Sequence, residues 1–367
     1  MKLMFINHAM HCGGTDRVVH SLLSILGSDK SLDLNCELVT VRSEEEDFFE
    51  VPSYIKRYSL GFCKDDKKLS GLSYFTLDNI KLVYNLRSII KSSNPDFIIT
   101  NWTSTNCLTL LSTIGLKKKV IAYEHIHHDL PSFIWKCVRR VLYPFAYKVL
   151  ALTDSDLQKY KRYCNVVKII NPVSILENNS DSSWVFSKVT ERPKYIIGVG
   201  RLEFQKGFDL LIDAFSIISE KVPEWRLKIV GDGALKHELQ EKAIKQGIAE
   251  KIEFTGAVRD VTHHYLSSQI FVLSSRFEGF GLVIVEAQNC GNAVISFDCP
   301  TGPSEIINNK KNGELVEAES VKKLSESIYN LISSPDEIDK YSSAGKVTSL
   351  KYGQDSIKSI WMNEILK

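Results

Sequence analysis

The segment Ser274–Gly291 reads SSRFEGFGLVIVEAQNCG and directly follows the apolar run Ile270–Leu273. An apolar run that turns through two glycines into a helical pattern predicts a buried strand, a tight loop and a helix. Glycines let the backbone approach a ligand closely, and a helix start offers unpaired N–H groups to anionic oxygens. Glu278 and Glu286 lie eight residues apart, and each carboxylate suits vicinal hydroxyls because it accepts two hydrogen bonds. The alternative is a glycine-rich turn with two solvated glutamates.

The same alternation of strand and helix recurs along the chain. Short β-branched runs are separated by helical patterns such as Gly207–Val222, and continuous apolar strands of this kind are typical of parallel sheets covered on both faces. The sequence therefore predicts an α/β protein with two doubly wound, Rossmann-like domains. The predicted strands are Lys2–Ile6, Cys36–Val41, Phe97–Thr100, Val120–Tyr123, Val149–Leu152, Tyr195–Val199, Leu227–Val230, Ile252–Phe254, Ile270–Leu273 and Ala293–Ser296.

A polar run, Glu177–Ser183 (ENNSDSS), separates the two sets of strands and is the best linker candidate. We expect a first domain over residues 1–172, a linker over 173–192 and a second domain over 193–350. A terminal helix over 351–367, apolar along one side, is a candidate to pack back on the first domain. Two doubly wound domains facing each other make a cleft, and such sheets bind ligands at the carboxyl ends of their strands.

Length and composition exclude several classes of protein. At ~150 residues per domain, the 367 residues indicate two domains or slightly more. The 46 basic and 44 acidic residues give a net charge of +2, which is too balanced for a protein that coats nucleic acid. No apolar run approaches the ~20 residues that cross a bilayer, and Met1–Ile6 is typical of a buried strand and not of a signal peptide. The eight dispersed cysteines, with no Cys-x-x-Cys pair, indicate reduced thiols and a cytoplasmic protein.

Loops that follow strands in the second half carry charged residues and glycines. Arg201 and Lys206 follow Tyr195–Val199 at a strand-to-helix turn, where a guanidinium fork and a point charge suit a diphosphate. In isolation such residues are usually solvated. Gly231–Gly233 (GDG) repeats the strand-end turn, and Phe254–Val258 (FTGAV) repeats it again.

Taken together, these motifs resemble the C-terminal domain of the family-4 retaining glycosyltransferases, which have the GT-B fold. The resemblance covers about Tyr195–Val316 and rests, in order and spacing, on Arg201 with Lys206, Gly231–Gly233, Glu278 with Glu286, and Gly302–Glu305 (GPSE). In the first half, Gly13–Thr15 and Asn171–Pro172 also resemble that family. The segment Glu44–Asn94 matches nothing usable.

The resemblance implies a role for each matching residue. Arg201 and Lys206 would bind the donor diphosphate, and Glu286 would hold the ribose hydroxyls. Glu278 would meet the donor sugar, and His125 would occupy the position of the family's cleft histidine, in contact with the transferring sugar or the acceptor. The implied catalytic set is His125, Glu278, Arg201 and Lys206. The implied donor-binding set is Gly14, Thr15, Arg201, Lys206, Asp232, Gly233, Val258, Gly279, Phe280, Gly281, Leu282, Val283 and Glu286.

Two clusters offer a metal site as an alternative. Histidines crowd the loop His125–His128, and Asp154–Asp156 (DSD) matches the Asp-x-Asp pair with which the other large glycosyltransferase fold holds a divalent metal. The histidines lack a second ligand cluster, and Thr153 or Asp154 as a helix N-cap explains the acidic pair more simply. We therefore expect no metal and no cofactor, with the leaving diphosphate neutralised by basic side chains and helix N-termini.

The segment Phe133–Leu150 (FIWKCVRRVLYPFAYKVL) predicts an amphipathic helix. Its predicted core stripe is Phe133, Ile134, Cys137, Val138, Val141, Leu142 and Phe145. Its predicted exposed stripe is Trp135, Arg139, Tyr143 and Tyr147. An exposed aromatic and basic stripe suits an anionic membrane surface, and the alternative, preferred on the sequence alone, is a packed helix with an incidental basic face.

The resemblance as a whole implies a retaining glycosyltransferase. The donor would be a nucleoside-diphosphate sugar, with UDP the expected nucleotide. The acceptor would be a glycan or lipid-linked oligosaccharide of a bacterial surface polysaccharide, such as lipopolysaccharide or capsule, made in the cytoplasm or at the inner face of the cell membrane. The alternatives are another metal-independent GT-B enzyme (a sugar-nucleotide epimerase or a phosphorylase) and an inactive glycan-binding subunit. The complete set of Arg201, Lys206, Glu278 and Glu286 argues against the inactive subunit.

Overall fold

The computed structural model describes residues 1–11, 13–29, 32–61, 77–173, 188–258 and 260–367. These residues form two compact units. The first consists of Met1–Pro172 together with Gln354–Lys367, and the second is Val173–Gly353. Each unit is built on one sheet whose strands are all parallel, so the predicted pair of doubly wound α/β domains is confirmed.

The first unit has a seven-stranded sheet in the order β3-β2-β1-β4-β5-β6-β7. Its strands are β1 (Lys2–Asn7), β2 (Asn35–Thr40), β3 (Lys56–Ser59), β4 (Phe97–Asn101), β5 (Lys119–Tyr123), β6 (Lys148–Ala151) and β7 (Val166–Lys168). The connecting helices are α1 (Gly14–Gly27), α2 (Leu77–Ser93), α3 (Thr103–Ser112), α4 (Phe133–Leu142) and α5 (Asp154–Tyr160).

The second unit has a six-stranded sheet in the order β10-β9-β8-β11-β12-β13. Its strands are β8 (Tyr195–Val199), β9 (Arg226–Val230), β10 (Ile252–Gly256), β11 (Ile270–Leu273), β12 (Ala293–Asp298) and β13 (Glu314–Glu317). Its helices are α6 (Phe208–Ile218), α7 (Lys236–Lys245), α8 (Thr262–Leu266), α9 (Leu282–Asn289), α10 (Pro303–Ile306), α11 (Val321–Ile332) and α12 (Pro335–Ser349).

Both sheets reverse their strand order at one point. In the first unit the chain moves outward from β1 to β3 and then restarts beside β1 with β4. In the second unit the same reversal lies between β8 and β11. Loops at the carboxyl ends of the strands that flank such a switch point diverge to opposite faces and leave a crevice for a ligand. The switch points are therefore where a site is expected.

A terminal helix, α13 (Gln354–Ile360), continues through a π-helical turn at Trp361–Ile365. It belongs to the first unit. The indole of Trp361 is fully buried, and its ring lies 6.5 Å from that of Phe5 and 6.2 Å from that of Tyr123. Part of the core of the first unit therefore comes from residues that follow the second unit in the chain.

The structure differs from the prediction at several boundaries. Residues 174–187, most of the predicted 173–192 linker, lie outside the described residues. Val189, at the end of that range, is buried in the core of the second unit, so the packed structure starts before residue 192. Helix α6 ends at Ile218 and not at Val222. Strands β3, β7 and β13, each at the edge of a sheet, are absent from the prediction.

The orientation of α4 is the reverse of the predicted one. The residues predicted to be exposed, Trp135, Arg139 and Tyr143, are buried. Three residues of the predicted core stripe, Phe133, Val141 and Phe145, are instead 78, 66 and 79% exposed. The cause is Glu124, a buried carboxylate that accepts hydrogen bonds from Tyr143 and Thr103. A buried carboxylate needs donors and a nearby cation, so the helix turns its phenol and guanidinium inward.

Candidate active site

Lys206 and Glu278 meet at the switch point of the second unit. Lys206 follows β8 and Glu278 follows β11, two strands that are neighbours in the sheet but far apart in the chain. The Lys206 ammonium Nζ lies 2.6 Å from Oε1 of Glu278, with side chains only 16% and 7% exposed. The structure thus joins two predicted site residues into one largely buried ion pair.

The two loops that carry this pair are packed against each other. Gly207 has a left-handed conformation with φ of 61° and is the N-cap of α6. A Cβ atom on Gly207 would lie 2.1 Å from the carbonyl oxygen of Ser274, so a side chain there is excluded. The Ser274 hydroxyl donates to the carbonyl oxygen of Lys206 at 3.0 Å. The position of Lys206 is therefore set by contacts on both sides of the switch point.

Glu278 is held by two further side chains that the sequence analysis did not identify. The Ser275 hydroxyl donates to Oε1 of Glu278 at 2.6 Å. The Thr301 hydroxyl, in the loop after β12, donates to the backbone carbonyl of Glu278. A signal was present only for Ser275, which closely follows β11 at the switch point, because loops after such strands line the expected crevice.

Arg201 does not join this pair. Its guanidinium lies 3.2 Å from Oε1 of Glu203, and its side chain is 55% exposed. The described hydrogen bonds and ion pairs of Arg201 thus include neither Lys206 nor Glu278. Its binding to a diphosphate stays a prediction.

The GDG turn after β9 has a packing reason. A Cβ on Gly231 would lie 1.9 Å from the carbonyl oxygen of Gly200, and one on Gly233 would lie 2.5 Å from that of Leu202. Asp232 is exposed, and hydrogen bonds from Lys236 and the Gly233 backbone lower its pKa. These glycines let the loops after β8 and β9 stack closely. A donor contact from Asp232 and Gly233 stays a prediction.

Glu286 lies in a different environment from Glu278. It is buried within α9, and its Oε2 accepts a hydrogen bond from the Tyr265 hydroxyl at 3.3 Å. Gly281, with φ of 91°, is the N-cap of that helix. Because the two carboxylates have separate partners, they can serve different parts of one ligand. Tyr265 is a third residue that sequence analysis missed, after Ser275 and Thr301.

The loop between the two glutamates is clamped by the GPSE turn. A Cβ on Gly302 would lie 2.4 Å from the carbonyl oxygen of Phe280, so the two backbones are in close contact. The Phe280 ring is buried and lies 5.8 Å from that of Tyr352. Four further residues of the predicted donor-binding set lie in this unit, and all are half-buried: Val258, Gly279, Leu282 and Val283.

Gly14 and Thr15 lie at the switch point of the first unit, where α1 begins after β1. A Cβ on Gly13 would lie 2.8 Å from a carboxylate oxygen of Asp16, whereas one on Gly14 would meet no described atom within 4 Å. Asp16 in turn accepts a hydrogen bond from the Asn7 amide at 2.9 Å. Thr15 is buried. Packing explains the first glycine but not the second.

His125 is buried, and its surroundings favour a neutral imidazole with its hydrogen on one particular nitrogen. Its Nε2 lies 2.8 Å from Oδ1 of Asn101, and the Asn101 amide nitrogen donates to the carbonyl of Ile6 at 3.2 Å. Since the amide oxygen can only accept, Nε2 of His125 carries the hydrogen and Nδ1 is left as an acceptor. Burial lowers the pKa of His125 to about 3. The neutral ring can therefore accept a hydrogen bond from a hydroxyl group at Nδ1, and it is not suited to act as a general acid.

Asn101 is a fourth residue that sequence analysis missed. It ends β4 at the switch point and is fully buried, as is Asn7 at the end of β1. A polar residue that closes an otherwise apolar strand was the available signal. The next residue, Trp102, has a positive φ of 73°, a strained conformation for a non-glycine residue that is common at functional sites.

The two alternative metal clusters are occupied by local contacts. The Thr153 hydroxyl accepts from the Asp156 backbone N–H at 3.2 Å, so the predicted N-cap is confirmed. Asp154 instead pairs with Lys168 at 2.8 Å, and Asp156 accepts from the backbone N–H of His128 at 3.0 Å. In the part of the chain that the structure describes, no group of three or more His, Cys, Asp or Glu side chains is arranged to hold a metal.

The two doubly wound units define the class of the protein. Anabaena HepE in complex with UDP superposes with a TM-score of 0.77 at 17% identity, over 98% of each chain. The architecture is accordingly the GT-B fold of glycosyltransferases.

Sequence relatives identify the chain further. Residues 182–348 match the family model described as "Glycosyl transferases group 1". The amylovoran biosynthesis glycosyltransferase AmsD of Erwinia amylovora is 28% identical over 369 residues, 99% of each chain. A Campylobacter jejuni enzyme is 28% identical over 320 residues, 86% of this chain and 84% of that one. It is named GalNAc-alpha-(1->4)-GalNAc-alpha-(1->3)-diNAcBac-PP-undecaprenol alpha-1,4-N-acetyl-D-galactosaminyltransferase. The chain is a glycosyltransferase, and residues 182–348 are similar to the group 1 glycosyl transferases.

Proposed function

We propose that this glycosyltransferase is a family-4 retaining enzyme. It moves a hexosyl or N-acetylhexosaminyl group from a nucleoside-diphosphate sugar, with UDP as the nucleotide, to a glycan or lipid-linked oligosaccharide of a bacterial surface polysaccharide. The observation that carries the proposal is the buried Lys206–Glu278 pair at the switch point of the second unit, 2.6 Å between Nζ and Oε1. A preorganised cation at that position is suited to a leaving diphosphate.

Lys206 stabilises charge on the leaving group. An ammonium has three N–H donors, and one of them is used by Glu278, so the others are free to bind phosphate oxygens. As the bond between the sugar C1 and the diphosphate oxygen breaks, negative charge develops on that oxygen. A cation fixed in advance stabilises this charge without reorganisation.

Retention follows from attack on the face that the diphosphate leaves. The acceptor hydroxyl oxygen forms the new bond to C1, and its proton moves to an oxygen of the departing diphosphate. The carboxylate of Glu278 is already paired with Lys206 and Ser275, which favours a role in holding the cation over a role as nucleophile. Nδ1 of His125 accepts a hydrogen bond from a hydroxyl of the sugar or the acceptor.

The remaining donor contacts are divided between the ribose and the diphosphate. Glu286 accepts hydrogen bonds from the ribose hydroxyls, while Arg201 adds a second cation at the diphosphate. The N-terminus of α9, at Gly281, presents backbone N–H groups to the phosphates. With this much positive charge the enzyme works without a divalent metal. HepE supports UDP as nucleotide, and the Campylobacter enzyme supports a lipid-linked acceptor.

A ligand screen followed by a transfer assay tests the proposal. UDP, GDP and ADP are compared by thermal shift, since a ligand at 100 times its dissociation constant stabilises the native state by ~2.7 kcal/mol. UDP should give the largest shift. Transfer from the matching UDP-sugars is then followed in excess EDTA, and the anomeric configuration of the product is read by NMR. Inverted product, or activity that requires added manganese or magnesium, would count against the corresponding part of the proposal.

Lys206→Ala tests the site itself. Turnover should fall on the order of a hundredfold or more, as for loss of one preorganised donor at a developing anion. Lys323→Ala is the matched control, because Lys323 forms an exposed pair with Glu317. Near-normal turnover by folded Lys206→Ala protein would reject the diphosphate assignment.

A further inference from the structure

The outer side of α4 exposes large apolar side chains that no described part of the chain covers. Phe133, Val141 and Phe145 are 78, 66 and 79% exposed, and Cys137 between them is also exposed. These four residues recur every four positions, so they lie along one side of the helix and of the short turn that follows it. We call them the α4 face.

The buried side of the helix fixes this exposure. The Arg139 guanidinium donates to the Tyr160 hydroxyl and to the backbone carbonyl of His128, both at 2.9 Å. The Tyr143 hydroxyl donates to Glu124 and receives a hydrogen bond from the Asn106 amide. If the α4 face turned inward, the Arg139 guanidinium and the Tyr143 hydroxyl would turn outward. Buried Glu124 would then lose its hydrogen bond from Tyr143. The face is therefore a stable feature of the folded unit.

Positive charge surrounds the α4 face. Arg140 is exposed and Lys136 is half-buried on the same helix, and the helix contains no acidic residue. From the start of α2 to the end of the Phe133–Leu150 segment, residues 77–150 contain ten lysines and arginines and four acids, a net charge of +6 in a chain whose total is +2. One of those acids, Glu124, and one of those basic residues, Arg139, are buried, so the remaining residues keep the net charge of +6. The excess is thus concentrated on the helical side chains of this region.

The neighbouring helix has the same character. Helix α3 contacts both α2 and α4, so the three lie in one layer on the sheet. On α2, Ile80 and Tyr84 are exposed, and so are Lys81 and Lys91. Apolar side chains interspersed with basic ones on a helical layer are typical of a surface that lies in an anionic lipid interface.

We propose that the α4 face docks on the surface of an anionic bilayer. Phe133, Val141 and Phe145 insert among the headgroups, while Lys136 and Arg140 bind lipid phosphates. Charge complementarity selects this occupant: a second copy of the chain would bring the same excess of positive charge against itself. No helix among the described residues is long and apolar enough to cross a membrane. The proposal goes beyond the transfer reaction and does not depend on it.

Vesicle binding by the full chain tests the proposal. The protein is sedimented with vesicles of phosphatidylcholine alone and with vesicles that contain phosphatidylglycerol as the anionic lipid. Binding should be strong only to the anionic vesicles and should weaken as salt is raised. Phe133→Ser/Phe145→Ser and Lys136→Glu/Arg140→Glu should each bind at least about tenfold more weakly. The matched control is Ile244→Ser/Val347→Ser, two residues of the second unit that are 66 and 69% exposed, and it should bind like the wild type.

Three results would overturn the proposal. The first is absence of binding to anionic vesicles by the wild type. The second is equal loss of binding in the control pair, which would indicate general stickiness. The third is a dimer in solution that becomes a monomer in Phe133→Ser/Phe145→Ser, which would assign the face to a second copy. UDP binding by all variants, measured by calorimetry, separates this proposal from the transfer reaction, because the α4 face contains no donor-binding residue.

Cys137 provides an independent readout in the same face. An environment-sensitive fluorophore on this exposed thiol should shift its emission to the blue when anionic vesicles are added and not when neutral ones are. Cys137→Ser protein, labelled in the same way, measures the signal from the other cysteines. An unshifted emission on vesicle-bound protein would show that a different surface meets the lipid and would overturn the assignment.

Discussion

The ion pair at the switch point predicts that Lys206 and Glu278 act as one unit. The perturbation is a set of three variants: Lys206→Met, which keeps the length of the side chain without its charge, Glu278→Gln, which keeps the shape, and the two combined. If Glu278 acts by holding the ammonium in place, its loss should matter only while Lys206 is present. The double variant should then be no slower than Lys206→Met alone.

The geometry gives the size of the expected effect. Charges 2.6 Å apart attract by about 6 kcal/mol at an effective dielectric constant of ~20, before desolvation is counted. Desolvation offsets most of this, and a hydrogen bond to a charged group retains roughly 1.5–3 kcal/mol. That range corresponds to a factor of roughly 10 to 150. Glu278→Gln should therefore slow transfer by about that factor, and Lys206→Met by on the order of 100 to 1,000.

Initial rates of sugar transfer measure the coupling. The donor is the one selected by the ligand screen, and circular dichroism with thermal unfolding shows that each variant still folds. Lys323→Met/Glu317→Gln is the control, because that pair is more than half exposed on both sides and should leave the rate unchanged. A double variant whose loss equals the product of the two single losses would refute the reasoning, since the two residues would then act independently.

Three further predictions concern other residues of the site. Glu286→Gln should lower the affinity for UDP about tenfold, because a charged acceptor is replaced by a neutral one; unchanged calorimetric affinity would remove Glu286 from the ribose site. The folded pKa of His125 is about 3, below its ordinary value of 6.5, so this group should reduce stability as the pH falls from 6.5 towards 3, where only the unfolded chain is protonated. Nitrogen NMR at pH 5.5, assigned with His125→Gln, should show a neutral ring with its hydrogen on Nε2; a charged ring would contradict the lowered pKa, and a hydrogen on Nδ1 would contradict the tautomer. Gly207→Ala places a Cβ 2.1 Å from the Ser274 carbonyl oxygen at a φ of 61°, which should cost at least ~1–3 kcal/mol in thermal unfolding, whereas Gly14→Ala, with no described atom within 4 Å, should unfold like the wild type.

The central strands could be predicted from the sequence, while three of the edge strands could not. Interior strands of a parallel sheet are buried on both faces and read as continuous apolar runs, as β1, β4, β8 and β11 do. Strands β3 (KRYS), β7 (VVK) and β13 (ELVE) lie at sheet edges. Their residues are mostly half-buried or exposed, so the apolar signal is missing.

The site could be predicted as positions but not as contacts. Loops after parallel strands meet at one edge of a sheet, which places Lys206 and Glu278 near each other from topology alone. Their ion pair joins residues that are 72 positions apart in the chain, and no local sequence pattern predicts a contact between such distant residues. The same applies to α4, since an amphipathic pattern gives two possible faces. Which face of α4 is buried depends on Glu124, a residue outside the helix, and the sequence does not reveal that Glu124 is buried.

The return of residues 354–367 to the first unit has a consequence for synthesis of the chain on the ribosome. The first unit cannot complete its core until Trp361 has left the exit tunnel, although Pro172 emerges 195 residues before Lys367. At ~5–20 residues per second this interval lasts roughly 10 to 40 s. The second unit, which is continuous in sequence over Val173–Gly353, can therefore finish folding first. During translation the nascent first unit is the part of this protein that would most need a chaperone.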